Sequence, residues 1–121
     1  MNKKFLKIAE IGMTHDGSFG LAKQLTKAAV KSGANVVKYQ CHIPEFETTR
    51  NAPSPHYFRD ENRFEYFERT QFSYNQFQKL HILCNELGVY SCISPFSIEA
   101  AEMCIDIGFD YIKNASGEVT N

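Results

Sequence analysis

Three times along this chain, a glycine is followed at once by a short β-prone run. The segments are Gly33-Ala34-Asn35-Val36-Val37-Lys38, Gly88-Val89-Tyr90-Ser91-Cys92-Ile93 and Gly108-Phe109-Asp110-Tyr111-Ile112-Lys113. Each glycine closes an amphipathic stretch and suits the left-handed residue that ends a helix. Helix, glycine and strand in regular succession predict right-handed βαβ units and a parallel sheet. At 121 residues, with 43% hydrophobic and 22% charged, residues 1–121 are expected to form a single domain with a genuine core.

The elements follow from spacing. Lys4 to Ile11 reads as a first strand stopped by Gly12, with Asp16-Gly17 as a turn. Ser18 caps a helix whose Ala22, Leu25, Ala28 and Ala29 share a face. Val36 to Cys41 is the second strand. His42 to Phe72 is a long connection holding three prolines, in which Phe64, Tyr66 and Phe67 mark a short helix. Ser73 and Gln76 form a capping box before a helix with Phe77, Leu80, Cys84 and Leu87 on its stripe. Val89 to Ser94 is the third strand, ended by Pro95. Ser97 caps a helix carrying Ala101, Cys104 and Ile105, and Phe109 to Ala115 is the fourth strand before a Ser116-Gly117 turn.

Charge excludes several classes. Thirteen Lys and Arg against fourteen Asp and Glu leave a formal charge of −1, which argues against nucleic acid and against an electrostatic membrane anchor. No run approaches the ~20 apolar residues that span a bilayer. The start, Met1 to Lys7, lacks the apolar core and cleavage site of a signal peptide. Cys41, Cys84, Cys92 and Cys104 lie in apolar segments without CxxC spacing, so they read as buried hydrophobes of a reducing cytoplasm.

Buried parallel strands are apolar on both faces, so polar residues near their C-terminal ends stand out. They are Glu10, Lys38, Ser94 and Lys113. Ligands of parallel α/β folds bind at that end. In a barrel, alternate strands share layers. That pairing puts Lys38 with Lys113 in one layer and Glu10 with Ser94 in another. Two ammonium groups in one cleft suit a phosphate or a carboxylate, against the plainer reading of lysines reaching out to solvent. Glu10 among apolar neighbours needs a partner or a site. Ser116-Gly117-Glu118 falls at the same face or is a plain turn. His15 and His42 also follow strand ends but match no metal motif, and loop hydrogen bonding explains them. His56 and His81 read as surface or interface residues, and the charged run Arg59 to Arg63 as a solvated face.

Read in order, Ala9-Glu10-Ile11-Gly12, Thr14-His15-Asp16-Gly17-Ser18, Val37-Lys38-Tyr39-Gln40, Ile93-Ser94-Pro95-Phe96 and Tyr111 to Asn121 resemble the N-terminal part of the sialic acid synthase (N-acetylneuraminate synthase) family. Phe67-Glu68-Arg69 is similar to the family too. The resemblance implies a (β/α)8 barrel, of which this chain holds the first four parallel strands with three connecting helices. It implies condensation of phosphoenolpyruvate with an N-acetylmannosamine-type sugar, aided by a divalent metal, usually manganese, with phosphate released. Lys38, Ser94, Lys113 and Ser116 then match phosphoenolpyruvate-binding positions, and Glu10 and Glu118 match catalytic, sugar-side acids.

Departures accompany it. Thr14 stands where the family usually has Asn, Ser94 where Thr is common, and Asn114 where an apolar residue is usual. As a strand residue, Asn114 should face the helices, where its amide needs a partner. A whole barrel needs about 250 residues. The family's metal-binding histidines belong to its second half, so no metal ligand is expected here, and the isolated chain is expected to be inactive and to form homo-oligomers. Two other readings are a non-catalytic anion-binding half-barrel or interaction module, and another phosphate-ester barrel enzyme such as a deoxy-sugar acid synthase.

Overall fold

The computed structural model describes residues 5–57 and 60–121. Lys4, where the first run was expected to begin, and Arg59 of the charged run lie outside them. Four strands form one parallel sheet in the order β1 (Ile8–Gly12), β2 (Val36–Cys41), β3 (Tyr90–Pro95), β4 (Tyr111–Ile112). Each crossover carries a helix: α1 (Phe19–Lys31), α4 (Tyr74–Glu86) and α5 (Ile98–Ile107). This is the strand-helix sequence that the glycine spacing predicts.

The helices pack on one face only. Val37, Tyr39, Cys41 and Ile93 alternate toward that face and meet Ala22, Phe77, Leu80, Cys84, Ala100 and Cys104 in the core. Polar groups within it are matched. The Thr26 hydroxyl donates to Ala22 O at 2.8 Å, so the Tyr39 hydroxyl 2.7 Å away must donate to Thr26. Burial pushes the Tyr39 phenol well above its ordinary value, so it stays a neutral donor. All four cysteines are free and buried, as their apolar settings predict.

Capping matches the sequence. Ser18, Ser73 and Ser97 each accept from a backbone N–H in the first helical turn, and Ser73 with Gln76 completes a capping box. Three details differ. The second crossover contains the short helix expected at Phe64, Tyr66 and Phe67, α3 (Arg63–Thr70), opened by an Asn62–Glu65 capping box, and also α2 (Pro44–Glu47), which was not expected. On α5 the inward residues are Ala100, Cys104 and Ile107, while Ile105 is exposed, because the packed face is rotated from the expected one. The fourth strand pairs only through Ile112, with one more ladder bond from Lys113 N to Ile93 O at 2.9 Å. The chain then turns into a 3₁₀ segment, Ser116–Glu118, so strand alternation does not reach Asn114, which is exposed rather than set against the helices.

His81 is less open than a free surface residue. It is half-buried, and its Nδ1 lies 2.7 Å from Ser91 Oγ. That hydroxyl donates to Asp110 Oδ2 at 2.9 Å, so His81 Nδ1 must carry the hydrogen that joins α4 to β3. His56 is exposed, as expected.

Candidate functional site

Among the described residues no helix covers the opposite face of the sheet, where Ile8, Tyr111 and Ile112 are exposed. At the C-terminal ends of its strands lies a pocket of about 360 Å³ lined by Glu10, Lys38, Gln40, Ser94, Phe96, Lys113, Ala115, Ser116 and Gly117. Five of the six residues singled out from sequence therefore share one cleft. Glu118 does not: it borders a neighbouring depression with Ser97, Asn114 and Asn121, and its carboxylate accepts from Asn121 Nδ2 at 2.8 Å.

Register explains the grouping, and it differs from the expected layers. Glu10 pairs across the ladder with Lys38, and Gln40 with Ser94. Lys113 stands one residue beyond Ile112, as Ser94 stands one beyond its partner Ile93. So Lys38 sits with Glu10 and Lys113 with Ser94, because parallel register sets neighbours side by side. The Lys38 ammonium forms an ion pair with Glu10 Oε2. Glu10 thus has a partner, but its side chain is 44% exposed, so the burial cost expected from its apolar neighbours does not arise.

A register shift between Glu10 and Gly12 marks a bulge at the end of β1. Gly12 there has φ +53°, and a Cβ on it would lie 3.2 Å from Glu10 Oε1 and 3.3 Å from Gln40 Nε2. The bare backbone leaves room for both side chains. The sequence reading missed Gln40, although its spacing of two from Lys38 put it on the same face.

The charge balance follows. Glu10 and Lys38 neutralise one another, and among the described residues Lys113 has no carboxylate partner. Its exposed Nζ donates to Asn114 O at 3.1 Å. The cleft thus carries a net +1, on Lys113. Ser94 is buried and Ser116 exposed, and each brings a hydroxyl that can donate to an oxyanion. An anionic small molecule with several oxygens suits this lining. The same face continues into a more apolar hollow of about 540 Å³ along Leu6, Ile8, Val36, Cys92, Tyr111 and Ile112.

The two loop histidines are engaged. Buried His15 stacks on Phe72 at 4.3 Å and its Nδ1 accepts from Gly17 N at 3.0 Å. Burial lowers its pKa from the ordinary 6.5, and His42 adds a smaller push the same way against Asp16. His42 lies flat between Phe67 and Phe96, 4.0 Å from each, with Glu47 Oε1 2.8 Å from Nδ1 and Gln40 Oε1 2.9 Å from Nε2. Among the described residues no group of three or more His, Cys, Asp and Glu converges as a metal site.

A one-sided parallel β/α sheet with a polar cleft at its strand C-terminal ends matches four strands of a (β/α)8 barrel. The chain belongs to the NeuB family, which residues 25–121 match. It is 28% identical to the N,N'-diacetyllegionaminic acid synthase of Campylobacter jejuni, over 98% of this chain and 37% of that protein. Human N-acetylneuraminate-9-phosphate synthase is also 28% identical, over 94% of this chain and 33% of that one. Among solved structures, the N-acetylneuraminic acid synthetase of Leptospira borgpetersenii superposes with a TM-score of 0.76 at 22% identity, over 93% of this chain and 36% of that one. The chain spans about a third of the length of the curated relatives it matches.

Proposed function

We propose that this chain supplies the phosphoenolpyruvate side of a nonulosonic acid synthase, which condenses phosphoenolpyruvate with an N-acetylated amino sugar and releases phosphate. The observation that carries it is the meeting of Lys38, Lys113, Ser94 and Ser116 in one cleft at the strand C-terminal ends of a NeuB family chain. Phosphoenolpyruvate carries a phosphate and a carboxylate. Lys113 is the free cation for one of them, and Lys38 serves the other while still paired with Glu10. Ser94 and Ser116 donate to the remaining oxygens. Glu10, on the far side of Lys38, is the acid nearest the incoming sugar. Glu118 is assigned the sugar side by resemblance, and its separate depression means that it must act from there.

A divalent metal such as manganese goes with this reading of the family. The described residues do not fit one: His42 has both ring nitrogens bonded, His15 has one taken, and no third ligand stands with them. A single domain over residues 1–121, a cytoplasmic setting consistent with four free cysteines, and self-association through the open sheet complete the proposal. No helix among the described residues is long and apolar enough to cross a membrane.

Calorimetric titration of phosphoenolpyruvate into this chain and its Lys38→Met and Lys113→Met variants tests the reading. A charge-assisted contact contributes roughly 1.5–3 kcal/mol, so each variant should bind at least about tenfold more weakly. Parent affinity retained in both variants refutes the assignment.

A further inference from the structure

Next to the cleft, and unused by the chemistry above, is a buried polar chain. Glu47 and His42 have side chains only 4% and 3% exposed. Burying such a pair is costly unless its hydrogen bonds are complete. Here they are. Glu47 Oε2 accepts from Ile43 N at 3.3 Å, and its Oε1 shares a hydrogen with His42 Nδ1. His42 Nε2 meets Gln40 Oε1. With the amide oxygen placed toward it, Nε2 donates; since Nδ1 faces the Glu47 carboxylate, this arrangement has both ring nitrogens protonated and makes His42 and Glu47 a buried ion pair. Phe67 from α3 and Phe96 after β3 press on both faces of the ring and fix its plane.

The far end of the chain is what gives it a use. With its oxygen held by His42, Gln40 must turn its NH2 the other way, to the spot over Gly12 shared with Glu10 Oε1. Gln40 lines the cleft, whereas His42 and Glu47 do not. An unheld glutamine could present either end of its amide, because the two ends are nearly the same shape. A purely structural pair closing α2 would need the Ile43–Glu47 bond but not the bond to Gln40.

We propose that His42, oriented by Glu47 and by the Phe67–Phe96 sandwich, is a positioning residue that locks the Gln40 amide with its NH2 facing the cleft beside Glu10. The lock makes this corner of the site a hydrogen-bond donor. It therefore selects a ligand oxygen there, a hydroxyl or carbonyl, over a donor group. The lock rests on the geometry alone. Its use on a substrate rests on the synthase reading above.

The test is NMR of this chain with labelled glutamine side chains, on the parent and on His42→Phe, Glu47→Gln and Gln40→Glu variants. His42→Phe keeps the stacked ring and removes the donor. In the parent, the Gln40 NH2 should give one ordered pair of resonances, and His42 Nε2 should carry a hydrogen. His42→Phe should speed exchange of the Gln40 amide by about fivefold or more, the loss of one hydrogen bond. Amides of α4 and α5 should stay unchanged, which separates the lock from general loosening. Glu47→Gln keeps the shape and should give a smaller effect in the same direction. Gln40→Glu places a carboxylate against the same nitrogen and should keep the His42 Nε2 hydrogen. An equally ordered Gln40 amide in His42→Phe, or a bare Nε2 in the parent, overturns the proposal. These readouts need no ligand, so failure to bind phosphoenolpyruvate would count against the synthase reading alone.

Discussion

Gly17 offers a sharp test of how the loop after β1 is held. Its φ is +82°, and a Cβ added there would lie 2.7 Å from the backbone oxygen of Arg69 and 3.2 Å from Thr70 Cα. The loop is further tied to α3 by Arg69, which bonds Asp16 Oδ1 at 2.9 Å and Glu61 through a second pair. Gly17→Ala therefore incurs two costs. The left-handed conformation costs an L-residue ~1–2 kcal/mol. The contact is with backbone at the end of a helix, which cannot rotate away, so overpacking adds about 1–3 kcal/mol. Gly88 is the control. Its φ is +73°, and nothing lies within 4 Å of an added Cβ. Gly88→Ala should incur only the conformational part. The expected losses are about 2–5 kcal/mol for Gly17→Ala and about 1–2 kcal/mol for Gly88→Ala. At roughly 3–6 °C per kcal/mol for a 121-residue domain, the two midpoints should separate clearly. Urea and thermal unfolding followed by circular dichroism measure both, since the chain has no tryptophan. Equal losses in the two variants would refute the claim that the loop is packed against α3.

Glu10→Gln should release Lys38 and raise the cleft charge from +1 to +2, so phosphoenolpyruvate affinity is expected to hold or rise; weaker binding by calorimetry would show that Glu10 orients Lys38 rather than neutralising it. His15 is held below its ordinary value of 6.5 by burial, so the folded state favours the neutral ring. That contribution is present above about pH 6.5 and is lost as pH falls below it. Urea midpoints at pH 7.5 and 5.5 should therefore differ more in the parent than in His15→Gln, and an equal difference would exclude His15 as the source. β1 and β4 are sheet edges, and Ile8, Tyr111 and Ile112 are exposed beside them, so self-association is expected; a monomer by light scattering at high concentration would contradict it.

Local chemistry made much of this chain legible without coordinates. Ser18, Ser73 and Ser97 cap helices because a side-chain oxygen satisfies N–H groups a few residues ahead, and that depends only on neighbours. Gly88 and Gly108 end helices because their positive φ suits no other residue as well. Polar residues at the ends of apolar strands pointed to the cleft for the same reason: a buried parallel strand tolerates them only at a site. What the sequence could not settle was register and rotation. Whether Lys38 lies beside Glu10 depends on how β1 slides on β2, which contacts between distant segments fix. Periodicity placed a stripe on α5 but not its angle, so Ile105 is exposed while Ile107 is buried. β4 is only Tyr111–Ile112 because the chain soon turns into the 3₁₀ segment Ser116–Glu118, which strand propensity does not record. Least legible was the Glu47–His42–Gln40 chain. Its residues span eight positions, but the aromatic rings that hold it come from α3 and from beyond β3, and only the folded sheet brings them together.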